Sequence, residues 1–70
     1  MFEMKVESQM IVKDRTLVAG IPNFDTLPDE VTADGKTFKV IGVSRGVKLP
    51  YISLEIEKTN IDLEGKIITD

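Results

Sequence analysis

The chain's 70 residues include no cysteine, no histidine and no tryptophan. Without cysteine there is no disulfide to staple a small core. Without either cysteine or histidine, the zinc sites that hold many small domains together are excluded as well. The same two absences remove the Ser-His-Asp arrangement and the thiolate nucleophile. Aromatic residues are few, with three Phe and one Tyr. No apolar run approaches the roughly 20 residues of a membrane span, and the first residues lack a signal peptide's basic start and apolar centre. The expectation is one soluble, cytoplasmic domain over residues 1–70, with no cofactor and no membrane partner. A chain this short can scarcely enclose a substrate cleft and still bury a core, so a non-enzymatic protein is expected.

What the sequence does contain is a hairpin whose register can be read directly. In Val31-Thr32-Ala33-Asp34-Gly35-Lys36-Thr37-Phe38, Asp-Gly lies between two apolar-containing strands. That dipeptide favours a two-residue type I′ turn, because both central positions require positive φ. Counting outward pairs Ala33 with Lys36, Thr32 with Thr37, Val31 with Phe38 and Glu30 with Lys39. The last three are a hydroxyl pair, an apolar pair and an opposite-charge pair, all of kinds that stabilise a sheet.

Period-two patterning continues on both sides of the hairpin. Phe2, Met4, Val6, Ser8, Met10 and Val12 fall on one face, with Glu3, Lys5, Glu7, Gln9 and Lys13 opposite. This predicts a single half-buried strand, interrupted only by Ile11 on the polar side. Asp14-Arg15 predicts a tight connection, and Thr16 to Ile21 a more fully buried strand ended by Pro22-Asn23. Phe24 and Leu27 are expected to anchor the following loop to the core. Thr37 to Ser44 predicts the longest central strand, with Gly42 marking a bulge or a close approach. Arg45-Gly46 and Pro50 bracket a second loop. Ile52, Leu54 and Ile56 then alternate with Ser53, Glu55 and Glu57, and Lys66 to Thr69 supplies a last short strand after Glu64-Gly65. No long stretch carries apolar residues at helical spacing. The fold class expected is all-β, a small single-domain antiparallel β-barrel of six or seven short strands.

Met10-Ile11-Val12 leading into Asp14-Arg15-Thr16-Leu17-Val18-Ala19-Gly20 resembles the entry to the second domain of translational GTPases, the elongation-factor-Tu domain 2 type of β-barrel. The resemblance extends through Val40-Ile41-Gly42-Val43 to Asp62-Leu63-Glu64-Gly65-Lys66-Ile67-Ile68. It implies a barrel fold and an association with translation. It implies no GTPase activity, because there is no Gly-x-x-x-x-Gly-Lys-Ser/Thr phosphate loop. Family members also carry further glycines after the position of Gly20, where this chain reads Ile21-Pro22-Asn23-Phe24-Asp25-Thr26-Leu27. The family's contact with the acceptor end of aminoacyl-tRNA cannot be carried over to any residue here.

A net charge of −3 opposes nonspecific binding to nucleic acid, yet the charge is unevenly spread. Residues 1–35 hold seven acids and three bases, residues 36–54 hold four bases and no acid, and residues 55–70 hold five acids and two bases. Pairing of those central bases with acids on neighbouring strands, as Lys39 with Glu30, is the plain reading. Asp25, Asp29, Glu30 and Asp34 form the densest acidic group. They do not fit an EF-hand loop and read better as solubilising surface than as a cation site.

The basic and aromatic loop 45–51 supplies the candidate binding residues Arg45, Lys48 and Tyr51. Bases that meet phosphate beside an aromatic that stacks on a nucleobase are the usual equipment of small barrels that bind single strands. The same side chains suit docking to a protein, with Tyr51 and Arg45 as anchors. In the plainer alternative, Val47, Leu49 and Tyr51 cap a barrel end and the bases stay solvated. The acidic total favours a module for protein–protein interaction or assembly, and the translation-factor likeness favours an RNA-associated one. For the former, the long, Met-rich and proline-free N-terminal strand is the expected edge, open also to self-association.

Overall fold

The computed structural model describes residues 1–23, 26–45 and 50–70, together with every side chain among them except that of Arg45. Seven strands form: β1 (Glu3–Lys5), β2 (Ser8–Val12), β3 (Arg15–Gly20), β4 (Glu30–Ala33), β5 (Lys36–Arg45), β6 (Ile52–Glu57) and β7 (Ile67–Thr69). They join in the order β1-β7-β4-β5-β6-β3-β2, every pairing antiparallel. No helix occurs among the described residues. The sheet curls into a small barrel around Phe2, Met4, Val6, Val18, Val31, Ala33, Phe38, Ile52, Leu54, Ile56, Leu63 and Ile68, all buried.

The hairpin forms as its turn chemistry requires. Asp34 and Gly35 take φ of 55° and 76°, and all four expected pairs are in register. The Thr32 and Thr37 hydroxyls meet at 3.2 Å. Glu30 and Lys39 face one another across the ladder, but no ion pair within 4 Å joins them. An exposed pair of this kind gains little over two solvated charges. Asp34 instead reaches Lys66 at 2.9 Å, tying the hairpin tip to the approach to β7. That hydrogen bond, more than the accompanying attraction, holds the Lys66 ammonium above its ordinary lysine pKa.

β5 is the longest strand, and its first half pairs with β4 and its second with β6. The ladder slips between Val40 and Gly42, which places the expected bulge at Ile41. Before the slip, the Lys39 amide faces β6 without a backbone partner, and the Glu57 carboxylate accepts it at 2.8 Å. β6 alternates as the sequence predicts, with Ile52, Leu54 and Ile56 buried and Glu57 exposed.

The N-terminal segment departs from the single strand expected. Phe2, Met4 and Val6 enter the core, but Ser8, Met10 and Val12 do not. Ser8 is in register with Ala19, and the Glu7 amide also donates to the Ala19 carbonyl at 2.8 Å. Two residues thus oppose one, the signature of a β-bulge. Past it the alternation reverses phase. Gln9 and Ile11 lie opposite the fully buried Val18 and Thr16 and share their side of the sheet, which turns Met10 and Val12 outward.

The bulge lets one stretch of chain serve both ends of the sheet. β1 pairs with β7 on one side, and on the other meets the continuation of β3 through a Met4–Pro22 bridge and an Asn23 amide bond to the Glu3 carbonyl at 3.1 Å. At this crossing Gly20 lies directly beneath Lys5. A methyl group on Gly20 would fall inside the van der Waals envelope of the Lys5 carbonyl oxygen and 3.0 Å from Met4 Cγ.

The tight connection sits one residue earlier than expected, at Lys13-Asp14, with Lys13 at φ 52°. Leu27 does not anchor its loop to the core, because it remains 39% exposed, and Phe24 lies outside the described residues. Gly20→Ala is expected to cost about 3 kcal/mol, since backbone must separate from backbone. Gly35→Val should cost about 1–2 kcal/mol through the turn's positive φ. Urea denaturation of both variants tests these values. A loss below about 1 kcal/mol for Gly20→Ala would remove the close crossing, and an unchanged midpoint for Gly35→Val would remove the turn.

Candidate interaction edge

Of the residues selected by sequence, Tyr51 is the one whose side chain the structure describes. Its hydroxyl donates to Glu7 Oε1 at 3.3 Å, and its ring is partly exposed. Tyr51 therefore braces the start of β6 against the bulge, with an acid as its neighbour. Arg45 closes β5 in register with Ile52, while its side chain and all of Lys48 lie outside the described residues. The acidic group fares similarly. Asp25 lies outside the described residues, and among the described ones no three acids gather where a cation could be held.

A hollow of about 340 Å³ lies between the chain start and the 23–28 loop, lined in part by Phe2, Asn23, Leu27 and Asp70. The Asp70 carboxylate in that lining accepts the Phe2 amide at 3.1 Å.

β2 stands apart from the other strands. β3 to β7 each pair on two sides, and β1 is covered by β7 and by residues 22–23. β2 pairs with β3 alone, and no described strand lies along its other side. A two-residue turn makes Val12 and Arg15 a mutually bonded pair, so Ser8, Met10 and Val12 direct their backbone groups to β3. The N–H and C=O of Gln9 and Ile11 point outward. Met10, Ile11 and Val12 are 60%, 46% and 36% exposed, three consecutive apolar residues on an unpaired edge.

The region behind this edge is firmly built. Gln9 uses its side chain as a clamp, accepting the Leu63 amide at 2.6 Å and donating to the Ile61 carbonyl at 2.9 Å. Its amide meets Glu64 Oε2 at 3.2 Å. Thr16, fully buried, accepts the Thr59 amide at 3.0 Å and so fixes the other end of the same loop. On the outer face, Arg15 reaches Glu55 at 2.5 Å and Asp14 at 3.3 Å. The hydrogen bond to Glu55, then that to Asp14, holds the Arg15 guanidinium above its already high pKa, within an ion-pair cluster beside Val12.

Sequence reasoning placed the edge on the N-terminal strand but put Met10 and Val12 in the core. Ile11, the one break in the alternation, was the trace of the phase reversal. Comparison with protein-family models, curated proteins and solved structures found no match for this chain.

Proline substitution reads the phase of this edge directly. Ile11→Pro removes an outward N–H and should cost about 1 kcal/mol or less, whereas Met10→Pro removes an N–H bonded to β3 and should cost about 3 kcal/mol or more. Thermal unfolding of the two variants gives the comparison, and equal losses would refute the assigned phase.

Proposed function

We propose that this chain is a non-enzymatic binding module that takes up another polypeptide as an added strand along β2. The observation that carries the reading is the single-sided pairing of β2, which leaves Met10, Ile11 and Val12 exposed on a rigidly backed edge. In strand addition the main chain supplies affinity through ladder hydrogen bonds, and side chains on alternate faces supply selectivity. The outward groups of Gln9 and Ile11 provide the ladder, and Met10 and Val12 an apolar outer face. Most natural sheet edges are blunted by proline, inward charge or a covering loop. β2 carries no proline, and a single carboxylate, Glu64, touches its backbone edge at Gln9.

The RNA-associated reading rests on loop 45–51. Its described aromatic, Tyr51, is bonded to an acid, which favours the protein reading over stacking on a nucleobase. A screen of displayed random heptapeptides against immobilised wild-type and Ile11→Pro protein tests the proposal. The expected result is enrichment of β-prone peptides by the wild type and at least about tenfold less by Ile11→Pro. Equal enrichment by both proteins, or none by either, would sink the strand-addition reading. Amide shifts with mixed tRNA that persist at physiological salt would favour RNA instead.

A further inference from the structure

We infer that the strand β2 accepts is β2 of a second copy, joined antiparallel about a two-fold axis through Met10. This inference rests on the strand-addition reading above and names its partner. An antiparallel ladder joins residues of like phase, so outward-facing Gln9 and Ile11 pair only with outward-facing residues of the other chain. For two copies of β2, that restriction puts the axis on a residue, and only axes at Gln9, Met10 or Ile11 pair three or more strand residues. The strand runs from Ser8 to Val12, so its centre is Met10. Only an axis there pairs all five residues: Ser8 with Val12, Gln9 with Ile11, and Met10 with itself. The two Gln9–Ile11 pairs would exchange four backbone hydrogen bonds, using every outward group of the strand.

The flanking charges agree with this register. Continuing the same count sets Glu7 of one copy beside Lys13 of the other, at both ends of the joint. Moving the axis to Gln9 leaves Glu7 opposite Ile11 and runs the second copy toward Lys5, whose ladder position Ile67 already holds. Moving it to Ile11 pairs only Met10, Ile11 and Val12 of the strand and leaves Ser8 and Gln9 without strand partners. At the Met10 axis the facing residues form a non-hydrogen-bonded pair, the type in which side chains approach most closely. Two Met10 side chains, each 60% exposed in the single copy, then cover one another on the outer face. Flexible thioethers suit such a self-contact, because each can adjust to the other. The isologous geometry closes at two copies. The Glu64 carboxylate must yield the Gln9 amide, exchanging its 3.2 Å contact for a backbone carbonyl.

The joint is small, so association in the range of about 0.1–1 mM is expected. Sedimentation equilibrium and concentration-dependent amide spectra of the full chain measure it. Wild type should dimerise, with changes centred on residues 8–12, and Ile11→Pro should stay monomeric while retaining the spectrum of β3 to β7. Glu7→Lys and Lys13→Glu each place like charges together and should weaken self-association about tenfold. An equimolar mixture of those two variants restores both attractive pairs and should regain wild-type affinity. A wild type that is monomeric at about 1 mM overturns the proposal. So does a dimer indifferent to Ile11→Pro, or a mixture no tighter than its components. If the wild type is monomeric yet captures heptapeptides that Ile11→Pro does not, self-pairing fails while strand addition stands. If Ile11→Pro captures them equally, the edge reading itself fails.

Discussion

The contact on which the architecture depends is the crossing of Lys5 over Gly20. Seven short strands leave a sheet with two ends, and in a domain this small an open sheet would expose both. Here the two end strands are consecutive in the chain, so covalent continuity draws the ends together. The chain can pass from one end to the other only if it runs in contact with β3, and the missing side chain at Gly20 permits that approach. The bulge at Glu7–Ser8 follows from the same demand. The chain must turn its inward face from the β7 side of the barrel toward β3, and one extra residue accomplishes this.

Two polar side chains complete what the strands leave undone. The segment between β6 and β7 has no ladder of its own for much of its length, and unpaired backbone groups near the core are costly. Thr16 and Gln9, both on the inner side of the β2–β3 hairpin, receive the Thr59 and Leu63 amides. Leu63 is thereby delivered into the core. Gln9 is thus neither a solvated strand residue nor an ordinary core residue. Its inward placement is a direct consequence of the bulge, and it couples the edge strand to the loop that closes the barrel.

The same geometry leaves the edge exposed. Had the alternation continued without a bulge, Met10 and Val12 would lie inside and an edge of Gln9, Ile11 and Lys13 would face solvent. The phase reversal turns two apolar side chains outward and leaves the outward backbone of Gln9 and Ile11 beside them. The proposed strand addition rests on this edge, with its apolar cover and firm backing.

The sequence by itself determined whatever depends on neighbours a few residues apart. Asp34-Gly35 dictated the turn, the turn dictated four pairings, and the alternation in Ile52–Glu57 fixed the face of β6, because φ preferences and side-chain alternation are local. Gly42 likewise announced its bulge. The Glu7–Ser8 bulge left no glycine or proline at its own position, and its cause lies at Gly20 and Ala19, more than ten residues away. Ser8, Met10 and Val12 continued the rhythm of Phe2, Met4 and Val6, so the local pattern pointed the wrong way. Only the tertiary structure decided which side of β2 faces the core, because that choice is made by a close crossing between segments distant in the chain. The exposed edge, and with it the candidate site, depends on that decision.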